Sequence, residues 1–243
     1  MDIKAVLPTS LIEYPEHIST VLYVGACNFR CPYCYNVDLV LRPAQLPDLE
    51  PAQVLQELEA RRGFVDGVVI TGGEPTLQPD LPAFLSQVRR LGLAIKLDTN
   101  GYRPDVLSEC LQRSLVDYVA MDIKSSLAKY EQAAGVVVDA MRLLQSIQLL
   151  LRSDIEHEFR TTVVPGLVDL SDVQAIVQLI AGAKRYYLQY FRPGPTVGWG
   201  ENAPVGPPSQ DLMQRMAEIA ARAVPEVGIR GQPMGEHGDA LLM

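Results

Sequence analysis

Gly67-Val68-Val69-Ile70-Thr71 runs directly into Gly72-Gly73-Glu74-Pro75, and this stretch decides the fold. Four apolar or β-branched residues bounded by glycines read as a buried strand, and the Gly-Gly-Glu-Pro sequence as a turn at its carboxyl end. Residues 80–91 then read as a helix, with Leu81, Phe84, Leu85 and Val88 on one face. The same unit recurs outward in both directions. Upstream lie a strand at 18–24 and a helix at 51–62 with Pro51 in its first turn. Downstream, strands at 93–98, 117–123, 157–164 and 185–191 alternate with helices at 103–113, 136–152, 171–182 and 208–223. Six strands alternating with helices mean βαβ units, right-handed crossovers and a parallel sheet, either open and doubly wound or curled into a barrel.

In either architecture the functional loops follow the carboxyl ends of the strands. The unusual residues of this chain do follow strands. Cys27-Asn28-Phe29-Arg30-Cys31-Pro32-Tyr33-Cys34 follows the first and Thr71-Gly72-Gly73-Glu74-Pro75 the second. Asp98-Thr99-Asn100-Gly101 follows the third and Asp122-Ile123-Lys124 the fourth. Four such motifs at four strand ends converge on one rim. Singly, the last three are also explained by a tight turn, an Asx-type turn capping the next helix and a surface ion pair.

The cysteine spacing is C-x3-C-x2-C, and three of the four cysteines fall within eight positions. Clustered thiolates favour iron–sulfur clusters, zinc or copper(I) over disulfides. A structural zinc site wants four closed ligands in paired units, and here Cys110, His17 or His157 would have to complete it. A [4Fe–4S] cluster held by Cys27, Cys31 and Cys34 leaves one iron open to an exogenous ligand. A plain electron carrier completed by Cys110 would leave the other rim motifs unexplained. Cys110 itself reads as a small hydrophobe on a helix face.

C-x3-C-x-aromatic-C after a first strand, with Tyr33 in the aromatic place, resembles the signature of the radical S-adenosylmethionine superfamily. That resemblance implies a single-domain partial (β/α)6 barrel with parallel strands, one [4Fe–4S] cluster on Cys27, Cys31 and Cys34, and S-adenosylmethionine bound at the open iron. It further implies reductive cleavage to a 5′-deoxyadenosyl radical that abstracts a hydrogen atom. Gly72, Gly73 and Glu74 look like the family's glycine-rich motif, with Glu74 accepting from the methionine amine. Similar motifs in the glycyl-radical-enzyme activases imply that Lys124 neutralises the methionine carboxylate. Asp98, Thr99 and Asp122 would shape the same pocket, with a monovalent cation between them. Two neighbouring carboxylates repel unless a cation is near, which gives Lys124 or a bound ion a physical reason to be there. Arg160, in Arg160-Thr161-Thr162-Val163-Val164-Pro165-Gly166, is expected to point into the pocket, with Gln189 and Arg192 as further candidates.

Thr9-Ser10-Leu11-Ile12-Glu13-Tyr14-Pro15 and the segment from Cys27 to Asn36 resemble the activating proteins of anaerobic ribonucleoside-triphosphate reductase. The resemblance runs from about residue 5 to residue 230 and implies a protein substrate: a backbone glycine of a glycyl radical enzyme, with an electron donor such as flavodoxin or ferredoxin. Tyr35 stands where that family usually has His, and Glu16 where it usually has Gly. A radical enzyme acting on a small molecule, resembling the carboxydeazaguanine synthases, is the competing expectation.

A chain of 243 residues with 48% hydrophobic and 21% charged residues can bury one large core. Its net charge of −8 argues against a nucleic-acid partner. No apolar run is long enough to span a bilayer and no leader is evident, so a cytoplasmic protein is expected. One domain over 1–243 is expected, with its core at about 15–230, a Pro/Gly-rich loop at 192–208 whose stretch 192–201 serves as a lid, a docking surface or plain loop, and a loose tail over 231–243.

Overall fold

A computed structural model describes residues 1–201 and 203–231. Its strands pair in chain order in one eight-stranded sheet: β1 (Ile3–Ser10), β2 (Ser19–Val24), β3 (Gly67–Gly72), β4 (Ala94–Thr99), β5 (Tyr118–Asp122), β6 (Glu156–Val163), β7 (Arg185–Tyr190) and β8 (Glu226–Arg230). β2 to β8 run parallel, and β1 pairs antiparallel with β2. The helices are α1 (Val37–Leu41), α2 (Pro51–Ala60), α3 (Leu81–Arg90), α4 (Pro104–Gln112), α5 (Tyr130–Ala134), α6 (Ala140–Arg152), α7 (Leu170–Leu179) and α8 (Gln210–Ala220). This is the expected partial α/β barrel with a parallel sheet, enlarged from six strands to eight.

The two added strands are the sheet's edges. β1 is exposed at Ala5, Leu7 and Pro8, and apolar and polar residues do not sort between its exposed and buried positions, so its sequence shows no apolar alternation. Glu226-Val227-Gly228-Ile229-Arg230 is short and interrupted by glycine, which hides β8 in the same way. The expected core therefore starts too late, since β1 begins at residue 3. Of the expected tail, residues 232–243 lie outside the described residues.

The helix expected at 136–152 begins at Ala140, where the Asp139 side chain accepts from Met141 N at 3.0 Å. Before it, α5 is ended by Gly135 at φ 67°, a left-handed position. A Cβ there would stand 2.1 Å from Arg30 O, so this glycine also admits the cysteine loop. α7 starts at a reciprocal cap of Asp169 and Asp172.

Alternation along the strands sorts the residues between two faces. Leu22, Val24, Val68, Ile70, Ile95, Leu97, Val119, Met121 and Phe159 pack outward into the main core beneath the helices. Val21, Val69, Tyr118 and Ala120 form a separate small cluster with Tyr14 on the inward face. Within the lumen this apolar cluster is paired in register with the polar inward residues, Val69 and Tyr118 with Lys96, and Ala120 with Asp98 and Glu158.

Candidate functional site

β2 is followed by a sharp reversal at Ala26, which adopts φ 65°. The carbonyl oxygens of Val24 and Ala26 accept from Gly73 N and Glu74 N, each at 2.8 Å. The turn after β3 is thereby pressed against the start of the cysteine loop. A Cβ on Gly73 would lie 1.9 Å from Ala26 O, and one on Gly72, at φ 113°, 2.5 Å from Val24 N. These glycines thus let one backbone approach another. Asn36 Nδ2 donates to Gly72 O at 2.8 Å and closes the same junction.

Later segments hold the cysteine loop from two further sides. Arg30 N donates to Ala134 O at 2.8 Å, at the end of α5. Val197 N donates to Cys34 O and Gly198 N to Pro32 O, each at 3.0 Å, from the loop after β7. Tyr35 Oη donates to Arg192 O and accepts from Arg192 N, both at 2.5 Å, while its ring stacks on Phe191. The 192–201 loop is therefore fastened to the cysteine loop in this structure.

One cavity at the carboxyl ends of the strands is lined by Cys27, Cys31, Cys34, Tyr33, Gly72, Gly73, Glu74, Asp98, Thr99, Asp122, Lys124 and Arg160. The residues singled out for the site in the sequence meet there, apart from Gln189 and Arg192, together with Asn36, Asn100 and Thr162. Gln189 and Arg192 do not line it; the Arg192 guanidinium instead donates to Gly231 O at 3.2 Å. Cys110 is packed in the main core, His157 is buried with Nδ1 on Ile155 O, and His17 packs its ring at a tilt against Tyr14 at the opposite end of the strands. None of the three candidates to complete a zinc site lines the cavity.

Burial, with the Glu74 carboxylate nearby, pushes the Cys27 thiol up to about 12, and burial pushes Cys31 up to about 11. Without a metal both are neutral thiols near neutral pH. Burial also holds the Tyr33 phenol well above its ordinary range, and its hydroxyl is buried with no hydrogen-bond partner. Asn100 Nδ2 lies 3.9 Å from Cys27 Sγ and donates to Asn28 Oδ1 at 2.9 Å.

Glu74 is buried, and burial raises its carboxyl above the usual range despite its hydrogen bonds. Oε1 accepts from Thr76 N, Thr76 Oγ1 and Thr99 Oγ1, and Oε2 from Asn100 N at 2.7 Å. It staples the end of β3 to the end of β4, a role the sequence reading did not include.

Across the cavity is an ion-pair cluster. Arg160 Nε donates to Asp122 Oδ1 at 2.7 Å, and Nη1 to Asp98 Oδ2 at 3.2 Å. Lys96 Nζ donates to Asp98 Oδ1 at 2.6 Å, and Lys124 Nζ to Asp122 Oδ2 at 3.0 Å. Burial alone would raise both carboxyls, but Arg160 and the lysines outweigh it and hold them below the usual range. Asp122 likewise outweighs the effect of burial on Lys124 and keeps it protonated well above the usual lysine range. Beneath them Glu158, fully buried, takes Arg230 on both oxygens at 2.7 and 2.9 Å and the Tyr118 hydroxyl at 2.8 Å.

Lys96, Glu158 and Arg230 were not among the site residues expected from the sequence. A signal existed for two of them: Lys96 and Glu158 stand two residues before Asp98 and Arg160, so period-two alternation puts each pair on one strand face. Arg230 lies on the strand that the sequence concealed.

Comparison with known proteins places the chain in a family. A sequence model of the radical SAM superfamily matches residues 21–180, and the chain belongs to that superfamily. A protein of Methanocaldococcus jannaschii, provisionally named a glycyl-radical enzyme activating enzyme, is 30% identical over 233 residues, 94% of this chain and 95% of its own length. Shorter matches, about half of each protein, are the pyruvate formate-lyase-activating enzyme of Clostridium pasteurianum (32% over 127 residues; 50% of this chain and 52% of that protein) and the 7-carboxy-7-deazaguanine synthase of Neisseria meningitidis (32% over 122 residues; 50% and 51%). Among solved structures, Streptococcus suis SuiB bound to its precursor peptide SuiA superposes with a TM-score of 0.69 at 15% identity, over 87% of this chain and 48% of that one. That likeness bears on the fold, which is the radical SAM fold. Membership of the superfamily implies a [4Fe–4S] cluster and S-adenosylmethionine. No helix among the described residues is long and apolar enough to cross a membrane.

Proposed function

We propose that this protein is an activase that installs a glycyl radical on a partner enzyme. The reading is carried by the end-to-end similarity to the Methanocaldococcus jannaschii protein, which covers 94% of this chain and 95% of that one. Three thiols on one loop, facing one cavity, with the fourth cysteine packed elsewhere, fit a cluster that keeps one iron open.

In this reading Cys27, Cys31 and Cys34 hold the cluster, and Tyr33, Gly72, Gly73, Glu74, Asp98, Thr99, Asp122, Lys124 and Arg160 form the S-adenosylmethionine pocket. When bound, the cluster and S-adenosylmethionine supply the one-electron chemistry that removes a hydrogen atom from carbon. The chain's own residues bind and orient. Lys124 offers its charged amine to a carboxylate. The polar turn after β3 suits an ammonium group. Arg160 fixes both aspartates, so that the charges are set before any ligand arrives. Tyr33 and the tightly held cysteine loop screen one side from water. The partner would present a glycine loop at the carboxyl ends of the strands, where the cavity opens, and a small electron-transfer protein would supply the electron.

The test is anaerobic reconstitution with iron and sulfide, reduction, and addition of S-adenosylmethionine with a candidate glycyl radical enzyme. The expected result is 5′-deoxyadenosine together with a glycyl electron paramagnetic resonance doublet on the partner. The similarity to 7-carboxy-7-deazaguanine synthase favours a second reading, in which the substrate is a small molecule. 5′-Deoxyadenosine that forms with small-molecule substrates, and no doublet on any glycyl radical enzyme tried, would decide for it.

A further inference from the structure

The two aspartates at the ends of β4 and β5 invite a monovalent cation between them, and the side chains present do not fit one. All four carboxylate oxygens already face a cationic nitrogen. Asp98 Oδ1 is 2.6 Å from Lys96 Nζ and Asp98 Oδ2 is 3.2 Å from Arg160 Nη1. Asp122 Oδ1 is 2.7 Å from Arg160 Nε and Asp122 Oδ2 is 3.0 Å from Lys124 Nζ. An ion entering this cluster would have to displace one of these partners and leave a lysine or arginine buried without its own.

Lys96 decides the matter, because among the described residues its ammonium pairs with Asp98. Its side chain is 2% exposed and comes from the inward face of β4, where the lumen offers its ammonium Asp98 as hydrogen-bond partner. A buried ammonium is tolerated only when paired. The next carboxylate below, Glu158, is held by both Arg230 nitrogens and touches Arg160 only at 4.0 Å. The cluster of Lys96, Lys124 and Arg160 against Asp98 and Asp122 therefore carries one positive charge beyond its carboxylates, and Lys124, 18% exposed, is its open end. That surplus suits the carboxylate of an incoming amino acid moiety without a metal ion.

We infer that Lys96 is a built-in counter-cation, a positioning residue that takes the place of a monovalent metal ion in this pocket. The inference rests on reading the cavity as the S-adenosylmethionine site. It makes binding indifferent to the cation in the buffer and makes that indifference depend on one side chain.

The test is equilibrium dialysis of labelled S-adenosylmethionine against the anaerobically reconstituted, unreduced protein in potassium, sodium or tetramethylammonium chloride. The wild-type dissociation constant should agree across the three salts within about twofold, a coupling factor near one. Lys96→Met should weaken binding by about tenfold or more in tetramethylammonium, the scale of one hydrogen bond to a charged group. Potassium or sodium should restore much of that loss, because the variant leaves a cation-sized space beside Asp98. Lys96→Arg, which keeps the charge, should remain indifferent to salt, and the wild-type comparison stands even if Lys96→Met does not fold. Wild-type binding that collapses in tetramethylammonium and recovers in potassium would overturn the inference. So would Lys96→Met with unchanged affinity, or a loss that neither small cation repairs. Absence of binding in every salt would overturn the reading of the pocket, and this inference with it; formation of a glycyl radical on the partner bears on neither result.

Discussion

On β4, Ile95 and Leu97 point toward the helices and are fully buried in the main core, while Lys96 and Asp98 alternate with them and pair in the lumen. β6 repeats the arrangement, with Phe159 in the core between inward-facing Glu158 and Arg160. The outward face is apolar and packs the core; the inward face carries the ion pairs and, in the proposed reading, meets the ligand. One strand serves both because its two faces are separated by a single residue.

The comparison makes predictions that could break it. The largest effect is expected inside the mouth: Cys31→Ala should abolish cluster assembly, read as iron and sulfide content, and with it all cleavage of S-adenosylmethionine. Cys110→Ala, a core position, should retain the cluster. Next in size, Phe159→Ala on the outward face should cost about 3–5 kcal/mol in guanidinium unfolding. The fraction that stays folded should bind S-adenosylmethionine as before; a large loss of affinity there would show that the faces are not separable.

Acid should act through the inward face. Asp98 and Asp122 are held below the usual carboxyl range, so the stability they lend is complete above the titration of an unfolded carboxylate, at about pH 4, and is lost as pH falls further. A thermal-melting series from pH 7 to pH 3 checks this. Lys124→Met should then weaken S-adenosylmethionine binding by about tenfold while changing unfolding stability by less than about 1 kcal/mol, since the lysine is partly solvated. Smallest of all, Tyr35→Phe removes the hydroxyl shared with the Arg192 backbone and should cost about 1 kcal/mol, seen as faster proteolysis of the 192–201 loop.

The sequence made the strand-to-helix units readable because each buried strand is a short apolar run ending in residues no strand wants. Position after a strand was enough to gather Cys27, Gly73, Asp98, Asp122 and Lys124 at one rim, and Arg160 followed from the resemblance. The edge strands escaped for a physical reason: β1 has one solvated face and β8 is broken by Gly228, so neither shows a buried pattern. What Glu74 bonds to and what Gly73 approaches depend on the juxtaposition of separate loops, which no local pattern encodes. Lys96 was legible through alternation, but a lysine in a strand reads as solvent-facing until the lumen it enters is known.

The fastening of the cysteine loop has a consequence for biosynthesis. Cys34 is translated early, yet its carbonyl waits for Val197, and Pro32 waits for Gly198. At 5–20 residues per second a ribosome needs roughly 8–33 s to travel between Cys34 and Val197. The segment that carries the three thiols is thus made first and braced last.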